Sequence, residues 1–173
     1  LALEYAHGLG VIHRDLKPAN IMIERPAGGA PRVFVMDFGL ARRTGARSSL
    51  SVSGMIVGTP AYMSPEQARG EDVGEAADIY SLGATLYELL AGRPPFLGGD
   101  LVSVLLRVVE QDPPPLKLRD ADLETLIFKC LEKDPARRYA SARDLAADLT
   151  RWIDGEPIPA RPPSGFERLR RAH

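Results

Sequence analysis

Apolar positions recur along this chain in two rhythms. Near the start, two short apolar runs, NIMIE at 20–24 and RVFVMD at 32–37, flank the Gly- and Pro-rich stretch RPAGGAP. That arrangement predicts a β-hairpin with a longish turn. Further on, the apolar positions follow helical spacing. IYSLGATLYELLA (79–91) is apolar almost all round, which predicts a central, buried helix, with Asp78 placed to cap it and Gly92, Pro94 and Pro95 to stop it. LVSVLLRVVEQ (101–111) predicts a helix ended by Pro113 to Pro115, and DLETLIFKCLEK (122–133) another, ended by Asp134-Pro135. SARDLAADLTRWI (141–153) opens with a Ser-x-x-Asp cap at Ser141 and Asp144 and puts Leu145, Leu149 and Trp152 on one face.

The opening LALEYAHGLG reads as the last turns of a helix, ended by Gly8 and Gly10. A domain rarely begins inside a helix with nothing before it to pack on, so the start is expected to be a cut. Residues 38–64 show little periodicity and read as a long loop, a length that in a compact domain usually serves function. From Gly155 onward GEPIPARPPSGFERLRRAH is Pro- and Arg-rich and reads as a linker or tail. The expected organisation is one domain over 1–154 and a tail over 155–173, and the fold class is mainly α with one small β-hairpin.

Composition narrows the class only a little. The 173 residues carry a net charge of -1, which gives no bulk electrostatic case for nucleic acid or an anionic membrane. No apolar run reaches the ~18 residues a membrane span needs. A single cysteine, Cys130, can form neither an internal disulfide nor a zinc site; this fits a reducing, cytoplasmic setting, with Cys130 as a small buried apolar residue.

The candidate chemistry lies at the hairpin. Asn20 precedes the first strand and Asp37 follows the second. An antiparallel pair brings its open ends within ~4.5–5.5 Å between facing Cα atoms, so a carboxamide and a carboxylate should meet there. Oxygen ligands of that kind suit Mg²⁺, which completes its shell with water and phosphate oxygens. Asp15 and Lys17, in HRDLKPAN (13–20), add a second carboxylate and a cation. The residues alone also suit an ordinary loop, with Asn20 merely ending a turn.

Five ordered motifs go further: HRDLKPAN at 13–20, DFG at 37–39, GTPAYMSPE at 58–66, DIYSLG at 78–83 and KDPARRYAS at 133–141. From Leu1 to about Ile153 the chain resembles the C-terminal lobe of the eukaryotic-like (Hanks-type) serine/threonine protein kinases of bacteria, a protein-kinase-like fold. Ser64 stands where the family more often has Ala. The resemblance implies a transferase that moves the ATP γ-phosphate to Ser or Thr of protein substrates, with ATP and Mg²⁺ as cofactors. Asp15 would accept or orient the substrate hydroxyl proton and Lys17 would neutralise the transferred phosphoryl group. Asn20 and Asp37 would hold two Mg²⁺ ions. Lys17 with Thr59 resembles the serine/threonine pattern, and Thr59 and Pro60 fall in the peptide-docking segment.

Other matched residues imply structural roles: His13 packing near Phe38, Asp78 bracing the backbone of the catalytic loop, and Glu66 with Arg138 as a buried ion pair. His7 carries no signal. Arg14 would pair with a phosphorylated activation-loop residue, for which Ser51 and Ser53 match by position. A Ser-rich stretch is equally in keeping with a plain flexible loop.

No Gly-x-Gly-x-x-Gly run occurs, and the four lysines, Lys17, Lys117, Lys129 and Lys133, all lie elsewhere than a strand-borne phosphate lysine would. The chain therefore reads as a kinase fragment without its N-terminal lobe, not competent alone. The tail, with Phe166 and Leu169 beside Arg168, Arg170 and Arg171, suits a solvated linker or a juxtamembrane stretch ahead of a membrane anchor. A pseudokinase or interaction scaffold remains open, though it would not need Asp15, Asn20 and Asp37 together. A small-molecule phosphotransferase is the other alternative, and GTPAYMSPE speaks against it.

Overall fold

Helix α3 (Glu75–Ala91) organises the chain because it is apolar on more than one side. A computed structural model describes residues 2–38, 42–43 and 59–161. In it Ile79 packs into one cluster with Leu126, Cys130, Tyr139 and Leu145, while Tyr80, Ala84 and Tyr87 pack into a second with Val108, Ile127 and Leu131. The other helices gather round it: α1 (Ala2–Gly8), α2 (Pro65–Arg69), α4 (Leu101–Glu110), α5 (Ala121–Cys130) and α6 (Ala142–Ile153). The architecture is mainly helical with small antiparallel sheets, as the apolar spacing predicts.

Local chemistry sets the helix ends. Ser141 Oγ accepts the Asp144 N–H at 3.1 Å and its hydroxyl donates to Asp144 Oδ2 at 2.8 Å, so the expected cap of α6 forms. Gly92 closes α3 at φ 71°, a left-handed value that glycine adopts without steric cost, and its N–H donates to Glu88 O at 2.8 Å. Asp120 caps α5 by accepting from the N–H groups of Asp122 and Leu123, and also takes the Trp152 indole N–H at 2.7 Å. The bonds from Leu123 N–H, the Trp152 indole and Asp122 N–H hold the Asp120 carboxyl below the usual carboxylate range.

Four expectations need correction. Asp78 does not cap α3: the helix starts a turn earlier, with Gly74 at the cap position, and the Asp78 side chain is turned inward and fully buried. Helix α5 stops at Cys130 instead of running to Lys133, because the carbonyls of Glu132 and Lys133 bond to the Arg138 guanidinium. Within the stretch read as loop, β4 (Arg42–Arg43) pairs antiparallel with β1 (Val11–Ile12), and a 3-10 turn spans Pro60–Tyr62. Two-residue strands are too short to show a period of two. The segment after Gly155 is also anchored: Ile158 and Ala160 are buried in the Leu126–Leu145 cluster.

The hairpin forms where the apolar runs place it, as β2 (Ile21–Glu24) and β3 (Arg32–Val35), with Ile21 facing Val35 and Met22 facing Phe34. Its outer face is apolar and open, since Ile23 and Val33 are more than half exposed. Among the described residues no helix is long and apolar enough to cross a membrane. Cys130 is fully buried, and that burial pushes its thiol up to about 12, so it stays protonated and unreactive at neutral pH.

Helices α3 and α5 pack closely at Gly83. A Cβ on Gly83 would lie 2.5 Å from Cys130 Cβ. Gly83→Ala is therefore expected to lower stability by ~1–3 kcal/mol, the range for overpacking a filled core. Gly99→Ala, where an added Cβ meets nothing within 4 Å, should be close to neutral. Urea denaturation of the two variants, compared through their midpoints, checks this.

Candidate active site

The loop HRDLKPAN is folded by an alternation of inward and outward residues. His13, Leu16 and Asn20 are buried, and Leu16 packs with Leu3 and Ala142, which pins the loop between α1 and α6. Pro18 fixes φ at the start of a 3-10 turn over Pro18–Asn20, which delivers Asn20 directly to β2. Asp15 and Lys17 are left partly buried at the edge of this frame.

His13 is a satisfied core histidine. Its Nε2 lies 2.9 Å from Met36 O, a carbonyl that can only accept, so the proton sits on Nε2. Nδ1 then accepts the Asp15 N–H at 3.3 Å. Both ring nitrogens are committed, and the ring stands 4.5 Å from that of Phe38 at a tilt of 55°.

The next residue, Arg14, has φ 70°, a left-handed value uncommon for a side chain of its size. Asp78 holds it there. Asp78 Oδ1 accepts the Arg14 N–H and Oδ2 accepts the His13 N–H, each at 2.8 Å. His7 Nε2 reaches the same Oδ2 at 2.8 Å. Three donors surround one buried carboxylate, which is what a charge in a dry interior requires.

Sequence reasoning passed over His7, because a lone histidine near a helix end carries no signal until the fold brings α3 beside it. Gln67 was passed over too. Its side chain completes a capping box with Ser64 on α2 and also donates to Arg14 O at 2.8 Å. A Gln three residues after a Ser does mark the box, but nothing local marks the second bond.

The reactive groups converge on Asp15. Lys17 Nζ lies 2.7 Å from Asp15 Oδ2 and 2.9 Å from Thr59 Oγ1, which joins the loop to a segment 42 residues away. Asn20 Nδ2 donates to Asp15 O at 2.8 Å and to Asp15 Oδ2 at 3.3 Å. The amide nitrogen is thereby directed at Asp15, and Oδ1 is the atom of Asn20 suited to a cation. Asp37, exposed and at φ 59°, sits at the hairpin mouth, where the Met36 N–H donates to Asn20 O at 2.8 Å. The backbone thus brings Asn20 and Asp37 to the same end of the hairpin, and a carboxamide oxygen and a carboxylate are the donor types that a hard cation with few protein ligands takes.

Thr59 and Pro60 lead into the Pro60–Tyr62 turn, which is tied to α3. Ser81 Oγ donates to Tyr62 O at 2.8 Å, and the Tyr62 hydroxyl donates to Glu88. Burial, then the bond to Glu88, push the Tyr62 phenol well above its ordinary range, so it remains a donor. Glu66 and Arg138 form a buried bidentate pair at 2.7 and 2.8 Å. The same guanidinium donates to the carbonyls of Ala76, Glu132 and Lys133, so all five of its N–H groups are used. Ser51, Ser53 and Gly39, and the tail from Pro162 on, lie outside the described residues.

Residues 1–149 match the protein kinase domain family, and the chain belongs to that family. Among its relatives are the serine/threonine-protein kinases PknB of Mycobacterium tuberculosis, 46% identical over 161 residues, and of Mycobacterium leprae, 45% identical over 160. Each alignment covers 90% of this chain and 25% of the relative. A probable serine/threonine-protein kinase of Streptomyces coelicolor is 42% identical over 164 residues, covering 92% of this chain and 24% of the relative. The chain thus spans about a quarter of the length of these curated relatives.

Arg138→Met would strand the Glu66 carboxylate in the interior. The expected loss is ~3–5 kcal/mol. Replacing both members, Glu66→Leu with Arg138→Met, removes the stranded charge and should recover part of that loss. Denaturant midpoints of the single and double variants measure the difference.

Proposed function

We propose that the chain carries the catalytic and peptide-docking lobe, the C-terminal lobe, of a serine/threonine protein kinase that transfers the ATP γ-phosphate to Ser or Thr hydroxyls of proteins. The observation that carries this reading is Lys17 Nζ bridging Asp15 Oδ2 and Thr59 Oγ1 at 2.7 and 2.9 Å. A carboxylate, a cation and the docking segment are held at one point, where a hydroxyl could be presented to a phosphoryl group.

Phosphoryl transfer asks for positioning and charge neutralisation more than covalent catalysis. Asp15 Oδ2 orients the substrate hydroxyl and takes its proton as the oxygen bonds to the γ-phosphorus and the bridging oxygen leaves with ADP. Lys17 holds Asp15 in place and offers its ammonium to the phosphoryl oxygens. Asn20 Oδ1 and Asp37 would hold Mg²⁺, which when bound offsets charge on the nucleotide phosphates. The segment from Thr59 to Tyr62, tied to α3 through Ser81 and Glu88, supplies the wall against which a peptide lies. A cytoplasmic setting for this chemistry agrees with the free, buried Cys130.

The isolated 173 residues are expected to transfer phosphate negligibly. They contain no Gly-rich phosphate loop, and two of the remaining lysines are engaged elsewhere: Lys129 over the Tyr139 ring and Lys133 on Val108 O.

The test uses the intact kinase. Asp15→Asn keeps the shape of the side chain and removes its basicity, so kcat should fall by ~10²–10⁴ with nucleotide affinity little changed. Labelled product should contain phosphoserine or phosphothreonine and no phosphotyrosine. Undiminished transfer by Asp15→Asn, or robust turnover by the isolated chain, would contradict the reading.

A further inference from the structure

Three side chains grip the backbone just ahead of Asp15. Asp78 Oδ1 accepts the Arg14 N–H at 2.8 Å, Gln67 Nε2 donates to Arg14 O at 2.8 Å, and His13 Nδ1 accepts the Asp15 N–H at 3.3 Å. Arg14 O and the Asp15 N–H belong to one planar peptide. Bonding both fixes its plane, and with it the direction in which the Asp15 side chain leaves the backbone. Arg14 at φ 70° sits in a region that a side chain of its size rarely occupies, so local preference does not set that plane.

Of the three, Asp78 acts from the central helix and His13 from the loop itself. Gln67 reaches in from α2, the helix that follows the Thr59–Tyr62 segment. Its carboxamide is committed at both atoms: Oε1 accepts the Ser64 N–H at 3.1 Å while Nε2 donates to Arg14 O. The first bond belongs to the capping box, which Glu would complete equally well. Only the second needs an N–H donor, so the requirement for Gln at this position comes from Arg14 O. The next residue back, Glu66, anchors the same helix through its buried pair with Arg138.

We propose that Gln67 is a positioning residue for phosphoryl transfer. By holding the Arg14 carbonyl it ties the aim of the Asp15 carboxylate to the segment proposed to dock the peptide. The inference rests on the reading of Asp15 as the group that takes the substrate proton. Lys17 makes a parallel tie at the side chain, between Asp15 Oδ2 and Thr59 Oγ1; Gln67 makes it at the backbone. A slightly misdirected base loses rate without weakening the binding of substrate, so the effect falls on kcat.

The experiment measures kcat and KM of the intact kinase carrying Gln67→Glu or Gln67→Met, each alone and combined with Asp15→Asn. Gln67→Glu keeps the acceptor for the Ser64 N–H and loses the donor to Arg14 O. Gln67→Met loses the donor without placing a charge against that carbonyl. Each should lower kcat about tenfold, the scale of one lost hydrogen bond, with KM for ATP and for peptide little changed. In the Asp15→Asn background neither should lower the residual rate further, because the group that Gln67 directs has lost its basicity. A loss that came only from poorer folding would persist there. Wild-type kcat in either variant, a change in KM alone, or the same fractional loss with and without Asp15→Asn would each overturn the proposal. Undiminished transfer by Asp15→Asn alone would instead sink the reading of Asp15, and this inference with it.

Discussion

One fully buried carboxylate, Asp78, sets the shape of everything around the reactive groups. It projects from the first turn of the central helix and accepts three donors: the amides of His13 and Arg14 and the imidazole of His7. Left unpaired, a charge in that place would cost several kcal/mol. With three donors it becomes an anchor strong enough to hold Arg14 at φ 70°, a conformation that backbone sterics disfavour. The turn at Arg14 directs His13 inward to Met36 O and leaves Asp15 and Lys17 partly buried beside Thr59.

The Thr59–Tyr62 segment, proposed to dock the peptide, depends on the same helix. Ser81 and Glu88, both on α3, fix Tyr62, and Gln67 of α2 reaches Arg14 O. The Arg138 guanidinium spends all five donors on Glu66 and on three carbonyls, which locks α2 against the start of α3 and the turn after α5. Loop groups that keep a fixed distance, such as Lys17 and Thr59, are therefore set from a rigid element as well as by their own hydrogen bond. That division suits phosphoryl transfer, where a fixed constellation of charge carries most of the rate.

Much of this was legible in the sequence, and the exceptions share a cause. The helices, the hairpin and the placement of the Asn20 and Asp37 backbone at its open end follow from local periodicity and from the geometry of an antiparallel pair, so they could be read along the chain. The Ser141 and Gly92 helix ends are local for the same reason. The β1–β4 pairing was not legible, because two residues cannot display an alternation and the partner lies some thirty residues away. His7 and the second bond of Gln67 were missed because their partners, Asp78 and Arg14 O, are 71 and 53 positions distant. Asp78 itself was half legible. A carboxylate at the start of a helix reads as a cap, and the cap reading fails because the helix begins at Glu75 and the side chain is needed inside.

The most direct measurement of this account is amide hydrogen exchange at His13 and Arg14 in the chain and in Asp78→Asn. A carboxamide offers one acceptor oxygen, and its NH₂ group can only donate, so whichever side it takes it confronts an N–H that the carboxylate accepted. The account predicts that both amides exchange slowly in the wild type, and that the substitution speeds at least one of them while the α3 amides around Tyr80 and Ala84 stay protected. Unchanged exchange at both positions, or a loss of protection spread evenly over α3, would contradict it.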